Sequence, residues 1–516
     1  MWKCCKAIIN FFQKNKYATL ASLVLIVLLG TGLRVYKLGA NSFSADEFLD
    51  MNSAYAYRMT NVWQAWDFNR GQVNDLDVFA PRDERAWMYK YQVAQVFKIL
   101  PPTEEVARSV SVFWGIFSMA LIYFVAISFT KRRSIGLLSA FLFAVSAMGI
   151  MYDRKFRMYA MFYPIYLMLS WLIFKLFEQY YDGKCKVVSF FQKNSGLNLI
   201  FLLPVALIGL LSLHLQLLTV NIAAAFFGYV LVQTILQIKK TKKFTLNKYS
   251  SYLIAMIATV VALQIIMPQS LGIFWASIKF FINNSEYFSR ILSDYSNPLF
   301  AVIFLIIGIR HLYVNEKLTK ESLWLSTSLL VPLFMAAFMW KRTQGLQYVF
   351  FIQSFLIVLI ATGIYAVAAF MRKQFKDSKN AFAIVILLSM LLLPRYAYFF
   401  DESNTYNRTD SGDYRKVFAY VKRNLQAGDV MITRNFRNYY LSGANLKVYD
   451  FGGESAKEKL SVARIEEIRN QNAHGWIVLF DNDNLFLTEE ARNYVDRNFE
   501  RVNNVYLRQE VKVYRW

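Results

Sequence analysis

Long apolar segments recur along the chain at about the length that a helix needs to cross a bilayer. Such a helix takes roughly 20 mostly apolar residues, because each residue adds about 1.5 Å along the axis. Charged residues make up only 18% of the 516-residue chain, against about a quarter in soluble proteins. The sequence therefore predicts an α-helical polytopic membrane protein. Clear examples of such segments are residues 20–33, 200–213, 252–267 and 381–393.

Positive charge is concentrated in short segments between the apolar runs. Four lysines precede the first run, and further basic segments follow at every second turn. Because cytoplasmic loops are enriched in Lys and Arg, this alternation predicts about eleven spans, a cytoplasmic N-terminus and a C-terminus on the outer side. It also accounts for the net charge of +23 without a nucleic-acid partner. The basic segments are residues 131–133, 184–193, 239–248, 310–320 and 372–379.

Two polar regions fall on the outer side in this topology. A transmembrane domain (residues 1–396) contains a long first external loop (about 39–105), and residues 397–516 form a polar tail. Helix-like and strand-like patterns predict that this tail is a small external α/β domain. It has no phosphate loop, metal-ligand spacing or triad, so a scaffold role is expected for it. The predicted helices are 413–424, 454–470 and 489–499, and the predicted strands are 429–433, 446–451, 476–480, 505–509 and 510–514.

Two adjacent carboxylates open the first external loop. Asp46 and Glu47 lie a few residues after the end of the first apolar run. A carboxylate at the edge of an apolar layer loses part of its hydration, which raises its pKa and suits general-base catalysis. A solvated acid pair in an ordinary loop would have the same sequence, so the pair is interpreted together with the cationic segments.

Two cationic segments lie on the predicted outer side, against the usual charge bias. Guanidinium groups and Tyr hydroxyls bind phosphate well, so a lipid phosphate is the predicted partner of these segments. The alternative is that the long side chains anchor the protein in the lipid headgroup region. The first segment contains Tyr152, Arg154, Arg157 and Tyr159, and the second begins with Lys341 and Arg342.

The order of these motifs resembles that of GT-C glycosyltransferases. An Asp-Glu pair opens the first loop, Arg108 lies early in the second span, and Arg-x-x-Arg-Met-Tyr-Ala (residues 154–160) follows the third span. The pattern is most similar to bacterial relatives of protein O-mannosyltransferases and of the lipid A aminoarabinose transferase. The resemblance covers residues 30–180 and continues weakly through 341–361, where Gln347-Tyr348 takes the place of an Arg-Tyr pair.

One stretch departs from the family pattern. Such proteins often have Pro-Pro-Leu-Tyr-Tyr late in the first loop, preceded in the aminoarabinose branch by Glu-Lys. Here residues 83–89 are Asp-Glu-Arg-Ala-Trp-Met-Tyr, so Glu84 and Arg85 take the place of Glu-Lys and both prolines are missing. The sugar and the acceptor therefore stay open.

The resemblance implies an inverting glycosyltransferase in the plasma (inner) membrane, with its C-terminal domain in the periplasm or outside the cell. Its donor would be a sugar on a polyprenyl phosphate, and the acceptor a lipid, glycan or protein. Asp46 would act as general base, with Glu47 orienting it or binding sugar, and a divalent metal ion, if one is used, would be bound by Asp46, Glu47 or Glu84. The phosphate would be bound by Arg85, Arg154, Arg157, Lys341 and Arg342, and the supporting residues would be Glu84, Tyr89, Arg108, Tyr152 and Tyr159.

Two other functions are weighed against this one. A related enzyme would transfer an oligosaccharide from a pyrophosphate-linked lipid, and would need a larger external region or more cationic groups there. A transporter or flippase for lipid-linked sugars would show a repeat between its halves and polar or Gly/Pro breaks in matching spans. The sequence shows neither of these transporter features.

Overall fold

Helices make up most of the structure, a computed structural model that describes residues 16–74, 84–279, 283–341, 345–376, 378–400, 414–451, 459–502 and 511–516. The helices are α1 Lys16–Val35, α2 Ala45–Thr60, α3 Trp87–Val96, α4 Glu104–Thr130, α5 Arg133–Ala144, α6 Ala147–Asp153, α7 Tyr159–Glu178, α8 Lys186–Ser195, α9 Leu202–Leu215, α10 Asn221–Thr241, α11 Lys248–Ile266, α12 Pro268–Ser277, α13 Glu286–Ile291, α14 Pro298–Arg310, α15 Thr319–Phe338, α16 Gln353–Gln374, α17 Lys379–Leu392, α18 Ala397–Phe400, α19 Tyr414–Arg423, α20 Val462–Gln471 and α21 Glu489–Asn498. The strands are β1 Trp66–Asp67, β2 Gln72–Val73, β3 Val430–Ile432, β4 Lys447–Tyr449, β5 Gly475–Leu479, β6 Glu500–Arg501 and β7 Lys512–Arg515.

Eight helices in the described ranges are long and apolar enough to cross a membrane. Two pairs, α5 with α6 and Lys186–Ser195 with Leu199–Leu215, are bent by 63° and 103°, and each pair adds a span if it crosses as one. Helix α17 is also apolar, but it is shorter than these spans. The described residues thus contain eight to ten candidate spans, and the predicted polytopic membrane protein is confirmed. The eight helices are Tyr17–Val35, Glu104–Thr130, Tyr159–Glu178, Leu217–Thr241, Lys248–Ile266, Pro298–Asn315, Thr319–Phe338 and Phe350–Gln374.

The chain divides into two compact units, and the first contains the spans. It comprises Met1–Val35, Val112–Asp153 and Tyr159–Tyr398. Within it, α14 and α16 cross at very short distance. A Cβ atom at Gly308 would overlap the carbonyl oxygen of Leu359 on the facing helix. Small residues allow this approach, which is a main source of helix association in membranes, where lipid is as apolar as the side chains.

A buried ion pair in this unit stabilises the bend between α5 and α6. Arg34 Nε lies 2.7 Å from Asp153 Oδ2. Arg34 also donates from Nη1 to the carbonyl of Ala144 (3.0 Å) and from Nη2 to that of Phe143 (3.2 Å). These carbonyls end α5, where the bend removes their helical partners. A charge among apolar spans is costly unless it is paired, and here the Arg34 guanidinium pairs with Asp153 Oδ2 and donates to the carbonyls at the bend.

The second unit combines the first external loop with the tail: Tyr36–Ser111, Arg154–Met158 and Phe399–Trp516. The predicted division at residue 396 placed the loop with the spans, whereas the loop packs with the tail. The β1–β2 hairpin of the loop turns at Gly71, whose φ of +68° favours glycine. Beside it, Asn69 donates to the carbonyl of Leu446 (2.7 Å) and accepts from its N–H (2.9 Å).

The tail is an α/β domain, as predicted. Its sheet has the order β4-β3-β5-β7-β6, with β3 parallel to β4 and β5, and β7 antiparallel to β5 and β6. Strand β5 is buried along its whole length, which explains its continuous apolar sequence. The core of the domain includes Val430, Ile432, Ile465, Ile477, Leu479, Val495 and Tyr514.

Several predicted boundaries in the tail shift by a few residues. Helix α20 begins at Val462 because the Ser461 side chain caps it by accepting from the N–H of Arg464. The earlier part of the predicted helix 454–470 lies mostly outside the described residues, as does the predicted strand 505–509. The short strand β6 was not predicted, and among the described residues it pairs with β7 alone, at the edge of the sheet.

Candidate active site

Helix α2 carries three acidic side chains near its N-terminus. Ser44 is the N-cap residue, and its N–H donates to Glu47 Oε2 at 2.8 Å. This capping, together with negative charge at the positive end of the helix dipole, fixes where α2 begins. Asp50 follows Asp46 by four residues and so lies on the same face one turn later. Asp46 and Asp50 therefore lie on one face of α2, whereas Glu47 lies on a different, buried face.

Glu47 is buried and accepts four hydrogen bonds. Its Oε1 accepts from Arg108 Nε (2.9 Å) and from the N–H of Phe156 (2.7 Å). Its Oε2 accepts from Arg108 Nη2 (3.0 Å) and from the N–H of Ser44 (2.8 Å). Burial alone would raise the pKa of Glu47, but the Arg108 charge and these hydrogen bonds hold that pKa below its usual value. A carboxylate bound in this way suits a positioning residue better than a base.

Arg108 binds the start of the first loop to α4. Besides Glu47, it donates to the carbonyls of Leu38 (3.0 Å), Asn41 (2.9 Å) and Ser42 (2.9 Å). The guanidinium is buried, and these contacts satisfy it within the protein. Arg108 was predicted as a supporting residue, and its contacts suit that role because they hold α2 in place.

Arg157 joins the two other acids of α2. Its Nη1 lies 2.8 Å from Asp50 Oδ2, and its Nη2 lies 3.6 Å from Asp46 Oδ2. Nη1 also donates to the backbone carbonyl of Asp46 at 3.1 Å. The side chains of Arg157 and Asp50 are 9% and 13% exposed, whereas that of Asp46 is 53% exposed. Asp46 is therefore the carboxylate that an incoming substrate can reach, and it lies beside a fixed positive charge.

Asp50 completes this acid–cation cluster, and sequence reasoning missed it. Burial raises the pKa of Asp50, while the charges of Arg157 and Lys90 lower it and the neighbouring Asp46 raises it again. The signal in the sequence was the four-residue spacing from Asp46, which places both acids on one face of a helix.

Two more cations act on the same cluster. Lys90 and Arg85 both lower the pKa of Asp50 through their charge. Lys90 is buried, with Nζ donating to Ser53 Oγ at 2.9 Å and lying 5.3 Å from the centroid of the Trp63 ring. Arg85 is exposed in the turn before α3, as is Glu84. Lys90 was missed because an isolated lysine on an aromatic helix resembles a snorkelling surface residue.

Main-chain contacts hold the segment that carries Arg157. Arg154 donates from Nη1 to the carbonyl of Tyr36 (2.5 Å) and from Nη2 to that of Lys37 (3.3 Å). These bonds join the segment to the residues that lead into the first loop and suit a supporting role. Phosphate binding by Arg154 stays a prediction.

Tyr89 supports the same segment from α3. Its hydroxyl lies 2.5 Å from Ser111 Oγ, which donates to the carbonyl of Lys155 at 2.6 Å. Burial raises the pKa of Tyr89, so it stays protonated and keeps this bond at any physiological pH. These two hydrogen bonds link Tyr89 through Ser111 to the backbone of the segment. They help to position Arg157, although Tyr89 does not contact it directly.

The remaining predicted residues belong to the unit of the spans or lie outside the described residues. Tyr152 is buried, with its ring centroid 4.3 Å from that of Phe350 and its hydroxyl 3.5 Å from Gln347 Oε1. The Tyr159 ring lies 5.9 Å from the Tyr152 ring and is also buried. Lys341 is exposed, and Arg342 lies outside the described ranges. Their roles in phosphate binding stay predictions.

Metal binding by Asp46, Glu47 or Glu84 stays a prediction. Among the described residues, no group of three or more His, Cys, Asp or Glu side chains converges as metal ligands would. All four hydrogen bonds of Glu47 are made within the protein, and Glu84 lies in an exposed turn. Arg157 supplies the positive charge between Asp46 and Asp50.

Comparison with known proteins identifies the fold. No sequence-family model and no curated protein gives a significant match. The apo oligosaccharyltransferase of Archaeoglobus fulgidus is similar, with a TM-score of 0.60 and 10% identity over 90% of this chain and 70% of that one. ArnT from Cupriavidus metallidurans bound to undecaprenyl phosphate gives 0.55 and 10% over 95% of this chain and 97% of that one. AglB from A. fulgidus, with an inhibitory peptide and a dolichol-phosphate, gives 0.55 and 9% over 91% and 70%. The chain has the GT-C fold, as its sequence resemblance implied.

Proposed function

We propose that the protein is an inverting glycosyltransferase that takes a sugar from a polyprenyl-phosphate donor and transfers it to a lipid, glycan or protein acceptor at the outer face of the membrane. One observation carries the proposal: the half-exposed carboxylate of Asp46 lies 3.6 Å from the buried guanidinium of Arg157. Displacement of a phosphate-linked sugar needs a base for the acceptor proton and fixed positive charge near the developing negative charge.

The ligands of the structural neighbours support this donor class. ArnT was solved with undecaprenyl phosphate, and AglB with a dolichol-phosphate. Each ligand is a long isoprenoid chain on a phosphate group. The match spans 97% of ArnT but 70% of AglB, which favours an ArnT-like transferase over a larger one.

In the proposed reaction, the acceptor hydroxyl oxygen attacks the anomeric carbon from the face opposite the phosphate. The new C–O bond forms while the bond to the phosphate oxygen breaks, and the phosphate leaves with the bonding electron pair. The hydroxyl proton passes to the carboxylate of Asp46. A positioned base of this kind contributes about 10²–10⁴ in rate. Inversion at the anomeric carbon follows from attack opposite the leaving group.

The cations divide between two tasks in this mechanism. Arg157 is bound to Asp50 and lies beside Asp46, so it orients the base in addition to any contact with the donor. Arg85 is exposed and acts on the same cluster, which makes it the better phosphate ligand in this unit. Lys341, Arg342 and Arg154 are the further proposed phosphate ligands, with Tyr152 and Tyr159 as hydroxyl donors.

The similarity to oligosaccharyltransferases favours a second candidate, transfer of an oligosaccharide from a pyrophosphate-linked lipid. The base would be the same, and the leaving group would carry one more phosphate. The lipid released by the reaction separates the two candidates, since one yields a polyprenyl phosphate and the other a polyprenyl pyrophosphate.

The test is sugar transfer by the purified full-length protein in nanodiscs. Undecaprenyl-phosphate sugars and pyrophosphate-linked oligosaccharides are offered separately, with lipid extract of the host membrane as acceptor, and the released lipid is identified by mass spectrometry. Asp46→Asn should lower turnover by about 10²–10⁴ without weakening donor binding. Glu490→Gln, an exposed acid of α21, is the matched control and should be fully active. Normal turnover in Asp46→Asn would overturn the proposed base, and movement of intact donor across the bilayer would favour a flippase.

A further inference from the structure

A polar cavity of about 240 Å³ lies in the unit formed by the first loop and the tail, and it shares no residue with the Asp46 cluster. The hairpin contributes Asp67 and Arg70, and the tail contributes Asn435, Tyr449, Asp450 and Arg464. The tail residues follow or end β3 and β4, apart from Arg464 on α20. Strands β4 and β5 lie on opposite sides of β3, and open α/β sheets bind ligands outside the carboxyl ends of strands near such a reversal.

The charges that line the cavity balance. Two carboxylates, Asp67 and Asp450, face two guanidinium groups, Arg70 and Arg464. An anionic ligand would be repelled by the buried carboxylate of Asp67, and a cationic ligand would be repelled by the two arginines. A neutral ligand with many hydroxyl groups meets neither cost, because each hydroxyl can donate to a carboxylate and accept from a guanidinium.

Asn435 supplies an enclosed acceptor that the protein leaves unsatisfied. Its backbone N–H donates to Asp450 Oδ1 at 2.9 Å, and its Nδ2 donates to Asp67 Oδ2 at 3.4 Å. Because Nδ2 donates to Asp67, the orientation of the amide group is fixed, and Oδ1 is the side-chain atom left to accept a hydrogen bond. That oxygen is buried and has no hydrogen-bond donor among the described residues. An enclosed acceptor of this kind costs stability unless a water or a ligand hydroxyl donates to it.

We propose that this cavity binds one neutral sugar unit of the acceptor glycan, at a distance from the hydroxyl that reacts. The volume is below the range of about 300–1,000 Å³ typical for drug-sized ligands, which suits a single sugar ring. The ring of Tyr449 and the aliphatic side chains beside it match the apolar C–H faces of a pyranose. This inference rests on the proposed transferase function, and within it the acceptor is a glycan or glycolipid.

The binding test uses full-length Asp46→Asn protein in nanodiscs without any sugar donor, so that no transfer occurs. Methyl glycosides of glucose, galactose, mannose and N-acetylglucosamine are titrated to about 50 mM with detection by saturation-transfer NMR, because one sugar held by a few hydrogen bonds binds with a Kd of the order of 1 mM. At least one glycoside should bind. Asn435→Ala and Arg464→Ala should each weaken it about tenfold. Arg469→Ala, on the same helix but outside the cavity, is the matched control.

The outcomes separate this inference from the proposed function. Arg464 is exposed, so its variant tests the site even if Asn435→Ala fails to fold. No glycoside binding, binding that both variants leave unchanged, or binding of inorganic phosphate alone overturns the sugar site. In active protein, Arg464→Ala should raise the acceptor KM and leave the donor KM and kcat unchanged. Transfer that occurs without any such change would uphold the transferase and reject the cavity as its acceptor site.

Discussion

At the scale of single residues, the two neighbouring acids of α2 differ because successive helix positions point about 100° apart. Asp46 faces solvent beside Arg157, whereas Glu47 is buried against Arg108. The sequence placed both in one motif and left open which of them is the base. The difference comes from Arg108, which lies 61 residues further along the chain, and no local pattern indicates that contact.

Glu47 should stabilise the protein rather than accept the acceptor proton. Glu47→Gln leaves the buried Arg108 without its counter-charge, and breaking such a pair typically costs about 3–5 kcal/mol. The folded pKa of Glu47 is lowered, so its contribution is present above the unfolded pKa and is lost as pH falls through the folded value. The midpoint of thermal unfolding in nanodiscs should therefore drop at pH 7, and the gap to wild type should narrow toward acid pH. An unchanged midpoint at pH 7 would contradict this role.

Arg157 should act mainly on turnover, because it is buried and bound to Asp50 beside the base. Arg157→Ala should lower kcat by about tenfold or more, the cost of losing one charge-assisted hydrogen bond in a partly dry site. Arg157→Lys should recover only part of this, since an ammonium lacks the planar fork. Arg85→Ala is the comparison, and it should raise the donor KM instead. If Arg157→Ala instead raises the donor KM and leaves kcat unchanged, Arg157 binds the donor phosphate, as predicted from the sequence.

At the scale of elements, α2 is held by an aromatic cluster around Phe48. The fully buried Phe48 ring lies 5.1 Å from that of Tyr414, 5.6 Å from Tyr440 and 5.9 Å from Phe43. Edge-to-face pairs at these distances add to the energy of burial. The cluster thus joins the helix that carries the acids to the tail domain, within one compact unit.

Phe48→Ala should loosen α2 and lower activity without touching any charged group. Removal of a buried Phe typically costs about 3–5 kcal/mol, and Phe48→Leu should cost less because it fills part of the cavity. Limited proteolysis of the loop and tail, followed with the thermal unfolding midpoint, measures the effect. Phe113→Ala is the control, since Phe113 is 60% exposed on α4. Equal protease resistance in Phe48→Ala and wild type would show that the cluster does not hold α2.

Elements that depend on local sequence were predicted well, and those that depend on distant contacts were not. The spans follow from apolar runs, and strands β3, β4 and β5 from short apolar segments between turns. The packing of loop with tail depends on contacts such as Asn69 with Leu446, which are 377 residues apart. The bend between α5 and α6 depends on the contacts of Arg34 with the end of α5. For the same reason, the sequence did not indicate that Asp50 and Lys90 belong to the site. Asp50 pairs with Arg157, which lies 107 residues further along the chain.

At the scale of the whole molecule, the second compact unit constrains how the chain crosses the membrane. Its three parts are the first loop, the segment Arg154–Met158 and the tail, and parts that pack together lie on one side. An even number of crossings must therefore separate consecutive parts. Helix α4 and the bent pair α5–α6 supply two crossings before Arg154. Seven candidates follow, including the bent pair that contains α8, and the short apolar helix α17 makes eight if it also crosses. The parity therefore requires α17 to cross, and with that crossing the total equals the eleven spans predicted from the basic segments.

Reporter fusions test this topology. Six candidate spans precede Lys242, and four lie between Lys242 and Lys376, so both positions should share the side of the N-terminus. One more apolar helix, α17, precedes the tail and should place Trp516 on the opposite side. We expect alkaline phosphatase to be active after Trp516 and inactive at Lys242 and Lys376, with a fluorescent protein giving the reverse pattern, because the basic loops stay in the cytoplasm. Helix α17 has 14 residues, fewer than the roughly 20 of an ordinary span, and is the sensitive point. A cytoplasmic tail would mean that α17 does not cross, and since the acids of α2 belong to the same unit as the tail, it would also remove the reaction from the outer face.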